Sequence, residues 1–309
     1  MRSRKAAAAV GVLAAAFWSP HFQLVQRLTT GESPPSRLVL SFYFVLGAAI
    51  ALSLVLFLTG RLSELRVFNR QETHFLLLAA TGGYGFWVLR ALALAELAPA
   101  PARAHLLFCA VPIFIAVLSV FAAERADGRT FIGLLLGFFG CVVLVVPGHL
   151  MAGSLRGTLL ALAAAACWAL FTLAARSLMR QEKALPVVAL VTAIGAACLL
   201  VTCLSTRESI FAVRPDQLGM ALAGGFFTVG IMTALWLRCL AVMPAVLAAG
   251  FWYLGTLFGA IWAFLGWGGD RPNVWWLLVG GALILLGLHG ALSGRRTAEV
   301  TLGDVIRGS

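Results

Sequence analysis

Long apolar stretches alternate with short polar joints along the whole chain. The apolar blocks fall at about 6–27, 38–58, 74–94, 102–123, 131–147, 156–178, 185–205, 217–241, 244–267 and 274–292. Charged, Pro- and Gly-containing joints separate them, among them Gly31–Arg37, Gly60–Glu72, Glu124–Arg129, Arg180–Lys183, Thr206–Asp216 and Gly269–Asn273. Within a block the apolar run is nearly continuous, so periodicity does not separate helix from strand. Length does. A membrane-crossing strand needs about 9–11 residues and a crossing helix about 20, and these blocks match the helix. The pattern predicts an all-α integral membrane protein of ten transmembrane helices, with no room for a sizeable soluble domain.

Composition sharpens this. Of 309 residues, 61% are hydrophobic and 11% charged, whereas a soluble domain carries about 25% charged residues. That excludes soluble, disordered and disulfide-rich classes. The net charge of +11 does not imply a nucleic acid partner, because the basic residues are dealt out between apolar blocks instead of forming one patch. Cys109, Cys141, Cys167, Cys198, Cys203 and Cys239 lie inside apolar blocks without a CxxC pair, and read as small buried hydrophobes with no metal site and no cofactor.

Met1–Lys5 followed by Ala6–Ala16 resembles a signal peptide, with Ala14-Ala15-Ala16 as a cleavage site. The same wording returns at Ala164-Ala165-Ala166-Cys167-Trp168, matching Ala14-Ala15-Ala16-Phe17-Trp18. A repeat explains this better, so the first block is kept as a span. Thirteen Lys and Arg fall in joints on the N-terminal side and seven on the other. The positive-inside rule then places both termini in the cytoplasm, which an even number of spans allows. Basic residues are nearly all Arg and Ala is abundant, a bacterial composition, so the expected location is a bacterial inner membrane.

The duplication extends further. Arg90-Ala91-Leu92-Ala93 answers Arg238-Cys239-Leu240-Ala241, Glu124 answers Asp270, and a Gly133-rich span five answers a Gly280-rich span ten. Offsets of 150, 148 and 146 residues keep register. Five spans per copy turn the second copy upside down, the inverted-repeat plan of secondary transporters. In these features, together with Phe17-Trp18 and the run to Pro112 followed by Glu124, the sequence resembles the drug/metabolite transporter superfamily, EamA-type branch, over about residues 6–292. The resemblance implies repeats at 6–147 and 155–292, with a short cytoplasmic tail at 293–309. Two departures fall in regions that line the central cavity in that family. Tyr253-Leu254-Gly255 stands where a proline would break span nine, and Ser19-Pro20-His21 interrupts span one.

Ionisable groups at membrane depth cost about 2.5–3.5 kcal/mol and need a reason. Arg90 lies roughly 9 Å past the middle of span three at 1.5 Å per residue. Helical spacing places Tyr84, Trp87 and Arg90 along one face, either as a cavity wall holding an anion or as a snorkelling Arg beside packed aromatics. Arg176 and Arg238 sit near span ends, where snorkelling is favoured; Arg238 is also the repeat mate of Arg90. His21 follows Pro20 and is one turn from Trp18; it is read either as a proton-responsive cavity residue or as a neutral His bonded to a carbonyl. His105 and Cys109 share a face before Pro112. Trp168, Trp252, Tyr253 and Thr256 complete the candidate cavity, with helix packing as the competing reading. Gly133/Gly137 and Gly255/Gly259 form GxxxG pairs that allow close helix approach.

No Asp or Glu falls in the middle of a span, which disfavours proton-coupled export of cations. No GxxxxGK[ST], HExxH, DxxD-type pair or GxSxG occurs, so neither ATP-driven transport nor an enzyme is expected. The resemblance implies a secondary transporter, an exporter by default, of small polar metabolites such as amino acids, working by alternating access. A polytopic membrane enzyme and a non-transporting scaffold are the alternatives. The expected partners are a small-molecule substrate and the lipid bilayer, and a homodimer is compatible with the sequence.

Overall fold

The computed structural model describes residues 4–30, 34–65, 72–97, 101–122, 126–145, 154–179, 183–267 and 271–293. Glu124, Asp270 and the tail beyond Ser293 lie outside them, so the expected Glu124–Asp270 correspondence does too. Ten helices among the described residues are long and apolar enough to cross a membrane. Spans one to five are Arg4–Leu28, Arg37–Leu58, Phe75–Glu96, Ala104–Phe121 and Gly128–Val145. Spans six to ten are Leu155–Leu178, Ala184–Ser205, Pro215–Leu240, Ala245–Phe264 and Val274–Ser293. Large apolar side chains such as Phe57, Phe139 and Trp275 point outward, as a lipid-facing surface requires.

The packing repeats itself. Span two packs on span seven and span five on span ten; each pair joins equivalent helices of the two halves. The remaining major contacts come as counterparts: spans three and six with eight and one, four and six with nine and one, two and eight with seven and three. Exchanging the halves therefore maps the contact pattern onto itself, the signature of two five-helix repeats.

Small residues make these contacts possible, since lipid chains are as apolar as the helix surfaces and close backbone approach must supply the attraction. A Cβ on Gly140 would stand 2.7 Å from the Gly280 carbonyl oxygen, and one on Gly83 would stand 2.5 Å from the Val191 oxygen. Gly195 in turn meets the Gly83 backbone, and Gly225 meets Phe44.

Neither half is built from straight helices. Spans three and eight each contain a widened π-turn, Ala79–Gly85 and Phe226–Ile231, at equivalent places in the repeat. Each turn includes a threonine whose hydroxyl donates to the carbonyl four residues earlier. Thr81 donates to Leu77 at 2.7 Å and Thr228 to Gly224 at 2.8 Å. A π-turn disturbs the regular i to i−4 ladder, and the hydroxyl supplies the donor that the backbone withdraws. Span nine is interrupted too, despite lacking the proline. The interruption falls at Gly250–Phe251, where Phe251 N–H donates to Ala248 and Leu254 N–H to Phe251 in tight i to i−3 bonds. Glycine's poor helix propensity suffices there.

At the end of the bundle that carries Arg4, Glu64 ties two spans together. It accepts from Arg61 at 2.8 Å and from Lys183 at the head of span seven. These bonds hold its carboxyl down at about 2, well below the ordinary 4.5.

Two outcomes follow for thermal unfolding of the purified protein. Gly83→Val forces side-chain volume into backbone and should destabilise by about 1–3 kcal/mol, whereas Gly219→Ala, with open space around it, should be neutral or slightly stabilising. Because the Glu64 carboxyl is depressed, its tether is whole above pH 4.5 and fades as pH falls through about 2. Glu64→Gln should therefore melt below the parent at pH 7 and converge with it near pH 2; a gap that persists at pH 2 contradicts this assignment.

Candidate functional site

Two prolines and two aromatic indoles organise the middle of the molecule. Proline lacks an N–H, so the carbonyl four residues earlier loses its helical partner. Pro20 frees the carbonyl of Ala16, and the Ser19 hydroxyl donates to it at 2.8 Å while accepting from Trp262 Nε1 at 3.0 Å. Pro112 frees the carbonyl of Phe108, and Trp252 Nε1 donates to it at 3.2 Å. The repair of one break thus pins an indole of span nine against span four.

Around Trp252 the rings close into one cluster. Its ring lies 5.4 Å from both Trp18 and Trp168. Trp18 stacks on His21 at 4.8 Å, within 9° of parallel, and meets Trp87 edge-on at 6.3 Å. Phe86 bridges Trp87 and Trp168 at 5.2 and 4.9 Å. Over this cluster sits Arg90, only 3% exposed. Its guanidinium carbon is 5.9 Å from the Trp18 ring, 5.8 Å from Trp87 and 5.7 Å from Phe108, a cation held on three aromatic faces.

Among the described residues no carboxylate pairs with Arg90, and Arg37 at the head of span two is close enough to repel it. Arg90, His105, Trp18, Phe22, Cys109 and Thr256 border a cavity of about 10 Å3, at the lower bound for one water molecule. The site is therefore occluded in this conformation.

Hydrogen-bond accounting fixes the chemistry it presents. The single hydroxyl proton of Thr228 is spent on Gly224, so Thr228 accepts from His21, whose Nδ1 is 2.7 Å away. With its proton on Nδ1, neutral His21 turns a lone pair outward on Nε2. That Nε2 has no protein partner, and neither do Gln23 Oε1, Arg90 Nε, Trp168 Nε1 and Tyr253 OH, all buried. Buried polar atoms are nearly always paired. Most of these unpaired atoms belong to the central cluster or flank it: donors on Arg90 and Trp168, acceptors on His21 and Gln23.

A protein-family model described as the EamA-like transporter family matches residues 5–146 and, a second time, 155–292. The chain belongs to the EamA-like transporter family. It is thus a multi-pass membrane transporter of the drug/metabolite type, built from two EamA repeats. Among solved structures 25 chains match. One, described only as "Crystal structure of protein", is 25% identical with a TM-score of 0.76 and covers 94% of this chain and 97% of its own. No curated protein sequence matches.

Of the residues singled out in the sequence, this EamA-like transporter brings together Trp18, His21, Trp87, Arg90, His105, Trp168 and Trp252. His105 lies 4.9 Å from the Phe22 ring, and Cys109 bonds Thr256 at 3.1 Å. Three candidates lie elsewhere. Tyr84 sits inside the π-turn and pairs with Thr202 of span seven at 2.9 Å, because the inserted residue breaks the helical phase that put it in line with Trp87. Tyr253 is buried with its ring against Gly137 of span five, about 100° around span nine from Trp252. Arg238 is exposed and borders a peripheral groove. Arg176 does not snorkel; it is buried and donates to the Leu240 carbonyl at 2.6 Å. Residues that sequence reasoning passed over are Phe22, Gln23, Phe86, Phe108 and Thr228. Only Thr228 carried a signal, the Thr-x-Gly shared with Thr81 in the other repeat.

Removing the partner of His21 tests this arrangement. Thr228→Val leaves Nδ1–H buried without an acceptor and should lower stability by about 1–3 kcal/mol. Thr81→Val, whose hydroxyl bonds only its own helix, should cost less. Equal losses would show that the His21 contact contributes nothing.

Proposed function

We propose that the protein is a secondary transporter, working as an exporter, of small polar metabolites that carry a carboxylate, amino acids and related compounds among them. The observation that carries this reading is Arg90, a buried guanidinium with no carboxylate partner among the described residues, set on aromatic rings at the central cavity. A charge in that position costs several kcal/mol, of which ring contacts return only part. A substrate carboxylate supplies the missing anion through charge-assisted hydrogen bonds. His21 Nε2 and Gln23 Oε1 are acceptors suited to an ammonium or hydroxyl on the same substrate, and the ring walls suit its apolar body.

Alternating access follows from the two-repeat build. The occluded cavity must open to one side at a time, with the halves moving about the contacts that pair spans two with seven and five with ten. The excess of Lys and Arg on the N-terminal side supports cytoplasmic termini, and the composition supports a bacterial inner membrane.

The test is counterflow in proteoliposomes with amino acids, organic acids, nucleosides and cationic dyes. Zwitterions or anions should exchange. Arg90→Ala should reduce exchange at least about tenfold, the worth of one charge-assisted hydrogen bond at about 1.5 kcal/mol. Its thermal stability should hold or rise, since an unpaired buried charge has been removed. Unchanged exchange by Arg90→Ala, or exchange of cations alone, overturns the proposal.

A further inference from the structure

A second cavity lies away from the central one. A groove of about 600 Å3 opens between spans two, seven and eight. Its walls are apolar, with Leu52, Val55, Phe226, Ile231 and Leu235 along its length. Among the described residues its mouth carries three cations, Arg61, Lys183 and Arg238, and one carboxylate beside them, Glu64, already engaged by Arg61 and Lys183. These described side chains carry a net charge of two positives. All three cations lie at the bundle end that carries Arg4, since span two ends there, span seven begins there and span eight ends there. Leu54, Phe57 and Phe227, close in sequence to the lining residues of spans two and eight, are exposed on the outer surface, which turns this side of the bundle toward the acyl region of the bilayer.

We infer that this groove is a binding site for an anionic phospholipid, its phosphate held by Arg238 and Lys183 at the mouth and one acyl chain lying along Leu235, Ile231 and Phe226. Charge and apolar length together select this occupant. A zwitterionic lipid offers the chain without the net charge, and inorganic phosphate offers the charge without the chain. Basic pockets between helices at a membrane face are built to hold anionic headgroups. The groove also borders the π-turn Phe226–Ile231, whose Thr228 holds His21, so an acyl chain there rests against the turn that positions the central site.

The test is native mass spectrometry of the delipidated full-length protein, titrated with palmitoyl-oleoyl phosphatidylglycerol or with the matching phosphatidylcholine. Each basic side chain near an anionic headgroup is worth about fivefold in affinity, so with Arg238 and Lys183 both engaged phosphatidylglycerol should bind about twenty-fivefold more tightly. Arg238→Gln should reduce that preference by about fivefold, and Lys183→Gln/Arg238→Gln should abolish it. Leu235→Trp, which fills the acyl groove and leaves the cations in place, should weaken both lipids. A single cooperative melting transition in each variant verifies folding, lowered in Lys183→Gln/Arg238→Gln by the loss of the Glu64 tether. Equal binding of the two lipids by the parent, or selectivity that survives the double substitution, overturns the inference. So does inorganic phosphate that binds Leu235→Trp as well as the parent and displaces phosphatidylglycerol, which would reassign the mouth to a soluble anion.

Discussion

Inside a bilayer no water satisfies the backbone, so any interruption of a helix must be answered by the protein itself. That constraint shapes the centre of this molecule. Ala16 and Phe108 carbonyls, freed by Pro20 and Pro112, are taken by Ser19 and Trp252. The disturbed π-turns are patched by Thr81 and Thr228. The repairing side chains then have second roles: Trp252 packs against Trp18 and Trp168, and Thr228 fixes the proton on His21. The site is where the broken backbones are mended, and the mending supplies its geometry.

Electrostatics determines what such a site can hold. Arg90 is surrounded by rings and repelled by Arg37, with no acidic neighbour among the described residues. Rings offer a cation about 2 kcal/mol when desolvated, less than the several kcal/mol that burial of an ion costs. The proposed substrate carboxylate would supply the balancing anion. A carboxylate on a nearby helix would balance the charge permanently and leave no role for that substrate group.

Much of this was legible from residue order. The apolar blocks predicted ten spans because block length separates helix from strand when periodicity is uniform, and the structure begins and ends its helices within a few residues of those blocks. Trp18 and His21, one turn apart, do stack, and Arg90 does lie with Trp87. The errors have a common physical origin. Helical spacing carries a face forward only while the helix is regular, and the π-turn at Ala79–Gly85 inserts a residue that swings Tyr84 by about 100°. Nothing in the alanine and glycine run there marks a widened turn except the threonine it shares with the second repeat. Span nine shows the converse, since its break needs no proline and was therefore invisible to a search for one.

The divergence of the two repeats can be traced to a single spacing. In span three Trp87 and Arg90 are three residues apart, which brings them within about 60° on the helix, and both face the cluster. In span eight Trp236 and Arg238 are two apart, about 200° around the helix. Trp236 points inward, to Trp252 at 6.3 Å and to Thr172, so Arg238 has to face outward. Aligning arginine with arginine across the repeat hid this, because sequence register preserves position along the axis and says nothing of phase once one residue has shifted. This one-residue difference in spacing accompanies one arginine in the central cavity and the other at the mouth of a peripheral groove, so a duplicated fold has an asymmetric, singly charged cluster at its centre.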